Sequence, residues 1–174
     1  MECRDVIESE RLRLRRLVRR DFPAMVAALN DWSIAQWLAI PPYPYTEADA
    51  EAFLRWNQES DSNGFNGRFI VADLESDQLL GVISLYQEGD REELGYWLQS
   101  SVQGRGYMTE AAQALLREVR RLMKTAAIFA TTDPENIPSK RVLIRNGFLE
   151  TGKRQLDRPR KRGTTTASVF ELKW

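Results

Sequence analysis

The chain has 174 residues, enough for one domain that buries about 70% of the surface its unfolded form would expose. Lysine and arginine number 25 and aspartate and glutamate 25, a formal net charge of zero, which argues against a general nucleic-acid binder with its strong basic excess. With no histidine and one cysteine, Cys3, histidine metal sites, Ser-His-Asp triads, Cys-His dyads and an intrachain disulfide are all excluded, and proton transfer falls to carboxylates, hydroxyls, amines, the thiol or water.

In chain order, the opening residues MECRDVIESERLRLRR lack an apolar core, and no apolar run reaches the roughly 18 residues of a membrane span, so the chain reads as cytoplasmic. RLRLRRL from Arg11 alternates, with Leu12 and Leu14 on one face and Arg11, Arg13 and Arg15 on the other, which predicts a half-buried strand. Asp21 to Asn30 is helical by the spacing of Phe22, Met25, Val26 and Leu29. PPYPY from Pro41 is a loop, because proline lacks the amide and fixes φ; its aromatics suit a pocket lip. Thr46 caps the next helix, whose first residues are acidic and whose apolar side is Phe53, Leu54 and Trp56. RFIVADL from Arg68, LLGVISLYQ from Leu79 and ELGYWL from Glu93 read as three strands of an antiparallel meander. From Met108 the apolar residues Ala111, Ala112, Leu115, Val119, Leu122 and Met123 form a helical stripe, with Arg117, Arg120, Arg121 and Lys124 late in the helix. AAIFATT from Ala126 is a short strand, SKRVLIRNG from Ser139 a short helix ended by Gly147, and Val169 to Trp174 a last alternating strand. The strands at Glu93 and Ala126, joined through a glycine loop and a helix, are expected to run parallel. The class is α+β with a mixed sheet.

SVQGRGYMTEA, where a glycine loop opens straight into that helix, admits several readings. A tight turn with no ligand is one. A P-loop fails, since no Lys-Ser/Thr follows the second glycine. The dinucleotide fingerprint is approached by Gly104 and Gly106, but Thr109 occupies the third glycine's place, and Gln99 to Val102 intervene where that fold turns tightly; Asp133 lies near where a ribose-binding acid would stand. The remaining reading is a pyrophosphate cradle, in which glycines let the backbone approach and the free amides of a helix N-terminus favour an anion.

ELGYWL, GRGYMTEA and NIPSKRVLIRNGF, in that order and spacing, resemble the GNAT superfamily of N-acetyltransferases, and most closely its branch of ribosomal-protein N-terminal acetyltransferases. The resemblance covers nearly the whole chain and is strongest from Glu93 to Phe148, with Phe148 a core position. It implies a mixed, mostly antiparallel sheet with helices on both faces. The fourth and fifth strands of that fold, here those at Glu93 and Ala126, are expected to splay apart. It implies acetyl-CoA as acyl donor, its pyrophosphate on the backbone of Gln103, Gly104, Arg105, Gly106, Tyr107 and Met108. Its pantetheine arm would bond backbone groups of Tyr96, Trp97 and Leu98, by strand addition. The Gln or Arg often found three residues before the first loop glycine is Ser101 here.

The same resemblance maps a pantetheine-binding asparagine onto Asn136, which equally suits a helix N-cap. It maps a serine near the thioester sulfur, proposed as general acid, onto Ser139, otherwise a first-turn cap. The tyrosine acid that many relatives carry four residues later is Leu143 here. The base is open: Glu93 or Glu92 at the start of the Glu93 strand, Asp157, or water. Asp157 sits in KRQLDRPRKRG, which is either a solvated hairpin tip or a dock for an acidic substrate. The implied reaction is direct attack of a free amine on the thioester in a ternary complex, the carbonyl polarised by backbone donors of the fourth strand. A non-catalytic acyl-CoA-binding or regulatory protein of the same fold is the alternative. Expected partners are an amine acceptor, a protein N-terminus among the candidates, with no nucleic acid, no membrane and no metal; a homodimer is left open.

Overall fold

A computed structural model describes residues 5–60, 67–88, 91–122 and 127–174. Cys3, Met123, Lys124 and Ala126 lie outside them. The strands are β1 Val6–Glu8, β2 Leu12–Arg15, β3 Gly67–Asp73, β4 Leu79–Glu88, β5 Arg91–Leu98, β6 Ala127–Thr132, β7 Leu149–Gln155 and β8 Thr166–Lys173. They form one sheet in the order β1-β2-β3-β4-β5-β6-β8-β7. Each neighbouring pair is antiparallel except β5–β6, which is parallel. The helices are α1 Phe22–Leu29, α2 Trp32–Ala35, α3 Glu47–Ser60, α4 Tyr107–Leu122 and α5 Ile137–Arg145.

Strand alternation sends the sheet's apolar residues to two cores. Phe69, Val71, Ile83 and Leu85 pack with Ala111, Leu115 and Val119 of α4 on one face. Ile70, Ala72 and Val82 pack with Phe22, Met25 and Leu29 of α1 on the other. Helices therefore cover both faces. α3 is begun by a reciprocal cap: the Thr46 amide and hydroxyl donate to Asp49 Oδ2 at 2.8 and 2.5 Å, and the Asp49 amide donates back to Thr46 Oγ1 at 3.3 Å.

Three features depart from the sequence reading. β1 and α2 are additional elements, a strand of three residues and a helix of four, little more than one turn, and neither shows a period. Trp56 is not on the apolar side of α3 but 46% exposed, with the Arg68 guanidinium over its ring. Arg15 is not on a solvated face. It is buried, donating Nη1 and Nη2 to the two oxygens of Asp21, the residue just before α1, at 2.8 Å each and Nε to Asp77 Oδ1 at 2.9 Å.

The functional consequence of this topology sits at the parallel pair. β5 and β6 share a single ladder pair, Glu93 opposite Phe129, and no pairing is continued along β5 toward Leu98. The two strands splay from that point.

Candidate active site

At the end of β5 the Gln99 amide donates to the Leu80 carbonyl at 2.8 Å, and a short 3-10 turn, Ser100–Val102, carries the chain to the glycine loop. That turn is what the four residues between strand and loop do. Gly104 and Gly106 have φ of +78° and +82°. A Cβ on Gly104 would meet nothing within 4 Å, and one on Gly106 only Arg11 Nη2 at 3.6 Å, so backbone conformation rather than space requires glycine. Side chains pin the loop: Gln103 Nε2 donates to the Leu98 carbonyl at 3.0 Å and Arg11 Nη1 to the Arg105 carbonyl at 3.1 Å. Arg11 also pairs with Glu110 at 2.7 Å and lies over the Tyr107 ring. α4 begins at Tyr107, and its first amides have no carbonyl inside the helix to bond. The loop thus presents donors and the positive end of a sixteen-residue helix. Met108 is buried in the core, so only its backbone could serve here. A cavity of about 370 Å³ lined by Arg11, Gly106, Arg117 and Arg145 adjoins the loop. A larger cleft of about 820 Å³, between α1 and residues 99–102, contains none of the candidate catalytic residues.

The ladder decides which groups of β5 are open. Leu98 stands opposite Gly81 and Tyr96 opposite Ile83, and the Gln99 amide bonds Leu80. By antiparallel alternation Trp97, Gly95 and Glu93 exchange main-chain bonds with β4, while the amides and carbonyls of Tyr96 and Leu98 point toward β6. Since β6 meets β5 only at Glu93, the Tyr96 groups and the Leu98 amide line the splay, while the Leu98 carbonyl is held by Gln103 Nε2. Trp97 is not part of this open edge: its backbone belongs to the β4 ladder and its side chain packs in the α1 core.

Across the splay, Asn136 caps α5, its Oδ1 accepting from the Ser139 amide at 3.2 Å. Its side-chain nitrogen is left for another acceptor. Ser139 lies in the first turn, and the Tyr96 hydroxyl is 3.0 Å from Ser139 Oγ and donates to the Ser139 carbonyl at 3.0 Å. Burial drives the Tyr96 pKa up, against the Ser139 hydrogen bond, so the phenol keeps its proton. Leu143 is buried in the core, and the hydroxyl beside Ser139 comes from β5 rather than from later in α5.

Glu93 is 5% exposed. Thr131 Oγ1 donates to its Oε1 at 2.5 Å, and Arg154 Nη2 approaches its Oε2 at 3.2 Å and Glu88 at 3.1 Å. Burial raises its pKa most strongly; Thr131 lowers it, Glu88 raises it, and Arg154 and Arg160 lower it. Glu92 points to the opposite face, half-buried, its pKa also raised by burial. Asp157 is exposed at the β7–β8 tip.

That tip is not a solvated hairpin throughout. Lys161 Nζ donates to the Leu38 carbonyl at 3.0 Å, the Arg162 guanidinium sits 4.7 Å over the Trp37 ring, and Arg162 pairs with Glu135. The tip is strapped to the segment after α2, above the face that carries Glu93. Arg160 is drawn in to 6% exposure and its Nε has no hydrogen-bond partner. Thr131, Arg154, Arg160 and the Tyr96 hydroxyl were missed from sequence, since each reaches the site from an element distant in the chain. The strict alternation of ELGYWL does place Glu93 and Tyr96 on opposite faces. Among the described residues no group of three or more His, Cys, Asp or Glu could hold a metal ion.

Residues 11–149 match the model of the acetyltransferase (GNAT) domain family. An uncharacterized N-acetyltransferase of Bacillus subtilis, YnaD, is 33% identical over 148 residues, 84% of each chain. The ribosomal-protein-serine acetyltransferase of Escherichia coli is 29% identical over 126 residues, 71% of this chain and 69% of that one. RimJ of Mycobacterium smegmatis, solved with a CoA-disulfide, has a TM-score of 0.82 at 20% identity, covering 99% of this chain and 90% of that chain.

Proposed function

The chain belongs to the GNAT acetyltransferase family, and from that premise we propose the roles of its site residues and the class of its acceptor. It is an acetyl-CoA-dependent N-acetyltransferase, moving an acetyl group to an amine. No observation favours a non-catalytic acyl-CoA-binding role.

The site fits acetyl-CoA on one observation above all: the open edge of Tyr96 and Leu98 runs directly into the donor-rich loop at the start of α4. In this reading the amides from Gln103 to Met108 take the pyrophosphate. The Tyr96 and Leu98 edge takes the pantetheine amides as an added strand would. Asn136, its Oδ1 committed to the cap, offers Nδ2. The bound donor supplies an activated acetyl thioester.

The chain's own residues do the proton work. Glu93, with its affinity for a proton raised by burial, removes the proton from the acceptor amine directly or through water. Ser139 Oγ, hydrogen-bonded to the Tyr96 hydroxyl, is the proton donor to the departing sulfur.

The acceptor in this proposal is the α-amine of a protein or peptide N-terminus. An α-amine has a pKa near ~7.7–8.0 and a lysine amine near ~10.4, so at neutral pH the former supplies far more free nucleophile. The ribosomal-protein-serine acetyltransferase among the relatives supports the reading, and action in the cytoplasm goes with it. The test is release of free thiol from acetyl-CoA with two matched peptides, one with a free α-amine and blocked lysine, the other the reverse. The reading requires the first to be preferred; a preference for the second overturns it.

A further inference from the structure

Resting on the N-acetyltransferase reading, we propose that Arg160 is an anchor for a carboxylate of the acceptor, so that this enzyme selects amines that carry a carboxylate close to the reacting nitrogen.

A guanidinium withdrawn from water is stable only when its donors are met. Arg160 is 6% exposed, yet it makes no ion pair among the described residues, and its Nε has no partner. Apart from Asp133, the acids of this region are engaged elsewhere. Glu93 accepts from Thr131 and pairs with Arg154, Glu88 pairs with Arg154, and Glu135 pairs with Arg162. Asp133, 1% exposed, takes the Glu135 amide on Oδ1 at 2.9 Å and leaves Oδ2 without a partner. Two opposite, unsatisfied groups thus lie buried in one electrostatic neighbourhood with Glu93.

The strap holds Arg160 there. Lys161 and Arg162, its immediate neighbours, tie the tip down through Leu38, Trp37 and Glu135. The Arg160 backbone is fixed from both directions, its amide donating to the Thr164 carbonyl at 2.9 Å and its carbonyl accepting from Gly163 at 2.8 Å. An acceptor whose amine lies at Glu93 and whose carboxylate lies on Arg160 satisfies the guanidinium with a charge-assisted bond. The carboxylate has two sources: the α-carboxylate of a free amino acid, or the side chain of an aspartate or glutamate in the first residues of a peptide.

The experiment measures kcat/KM for matched acceptors: N-terminal peptides with Glu or Asp in the first two positions against their Gln or Asn counterparts, and free amino acids against their amides. The wild type is expected to favour the carboxylate member of at least one pair series by about 10-fold or more, the scale of one charge-assisted hydrogen bond. The series that shows it identifies the source. R160Q should level the preference, read as the ratio of rates within each pair so that any change at Glu93 common to both members cancels, and R160K should retain part of it. Thermal stability and the acetyl-CoA-induced shift establish that each variant is folded. Equal wild-type rates within every pair, or a uniform loss across all acceptors in R160Q, overturn the anchor while leaving acetyltransfer standing. Should no amine turn over although acetyl-CoA binds, it is the acetyltransfer reading that fails. The anchor is then decided by calorimetry of the same acceptor pairs on the coenzyme A complex: carboxylate-dependent binding lost in R160Q supports it, and its absence ends it.

Discussion

The Tyr96 hydroxyl and Ser139 Oγ lie 3.0 Å apart, joining the middle of β5 to the first turn of α5 across the splayed strands. A tyrosine that burial holds protonated can keep the serine hydroxyl oriented, accepting at its oxygen while donating its own proton to the Ser139 carbonyl. S139A should lower kcat by roughly 10-fold or more, toward the low end of what acid–base help contributes, with the KM for acetyl-CoA nearly unchanged. Y96F should lower kcat less, and the double variant should fall short of the product of the two, because the residues share one bond. Full multiplicativity would show the hydroxyls acting separately; full activity in S139A would remove the serine from the proton path.

Glu93 gives a pH prediction. Its pKa is raised from the ordinary glutamate value of 4.5, chiefly by burial, so the catalytic carboxylate forms only above that value. kcat should rise with pH on a limb displaced above the ordinary glutamate range, and E93Q should lose the limb, its deficit shrinking at higher pH as the amine deprotonates unaided. The stability sign is opposite: the folded state binds this proton more tightly than the unfolded one, so the wild type loses stability relative to E93Q as pH rises from 4.5 through the raised value. A rate deficit constant with pH would make Glu93 structural and return attention to Glu92, Asp157 or water.

Asn136 has a cap role visible in the structure and a proposed ligand role, and one substitution separates them. N136A should cost about 1 kcal/mol of stability through loss of the cap. N136D keeps an oxygen for the Ser139 amide but has no side-chain N–H, so stability should be nearly retained while acetyl-CoA binds more weakly. Unchanged acetyl-CoA affinity in N136D would leave Asn136 as a cap alone.

For the loop, acetyl-CoA at about 100 times its dissociation constant should add roughly 2.7 kcal/mol of stability. Gly104 and Gly163 both have positive φ, +78° and +90°, and open space at Cβ, so alanine at either should destabilise by about 1–2 kcal/mol from the backbone alone. Only G104A should also shrink the acetyl-CoA-induced shift. Equal shifts in the two variants would place the ligand elsewhere.

Arg15 is a stability prediction away from the chemistry. R15A leaves Asp21 buried without its two 2.8 Å bonds and should cost about 3–5 kcal/mol, measured by denaturant unfolding. A loss below 1 kcal/mol would mean that water restores Asp21.

Much of the fold was legible in the sequence because its longer elements carry either a period or a short apolar run. Leu12 and Leu14 and the Ala111–Leu115–Val119 stripe lie where alternation or helical spacing sends them, and the Leu79 and Glu93 strands are legible as short apolar runs. β1 has three residues and α2 four, little more than one helical turn, so neither carries a measurable period. The glycine loop was legible because positive φ leaves a residue signature; Trp97 was misassigned because ladder parity, not composition, decides which amides of a strand are open. The neighbours of Glu93 and Ser139 were illegible for a different reason. Thr131 is 38 residues from Glu93, Arg154 is 61 and Tyr96 is 43 from Ser139, and such meetings are fixed by strand order and register.

An unpaired strand edge normally sits at the rim of a sheet, where any extended chain can dock and begin aggregation. Here the rims are poor templates. β1 is three residues long, and β7 carries Glu150, Lys153 and Arg154 with a break in register beside Gly152. The main-chain groups left open by the ladder are in the middle instead, at Tyr96 and the Leu98 amide, between strands that converge at Glu93 and Phe129. A protein strand would need its own flanking space and a second set of partners to enter there. By moving its one receptive edge indoors, the chain keeps a strand-like appetite for amide groups while denying it to other polypeptides.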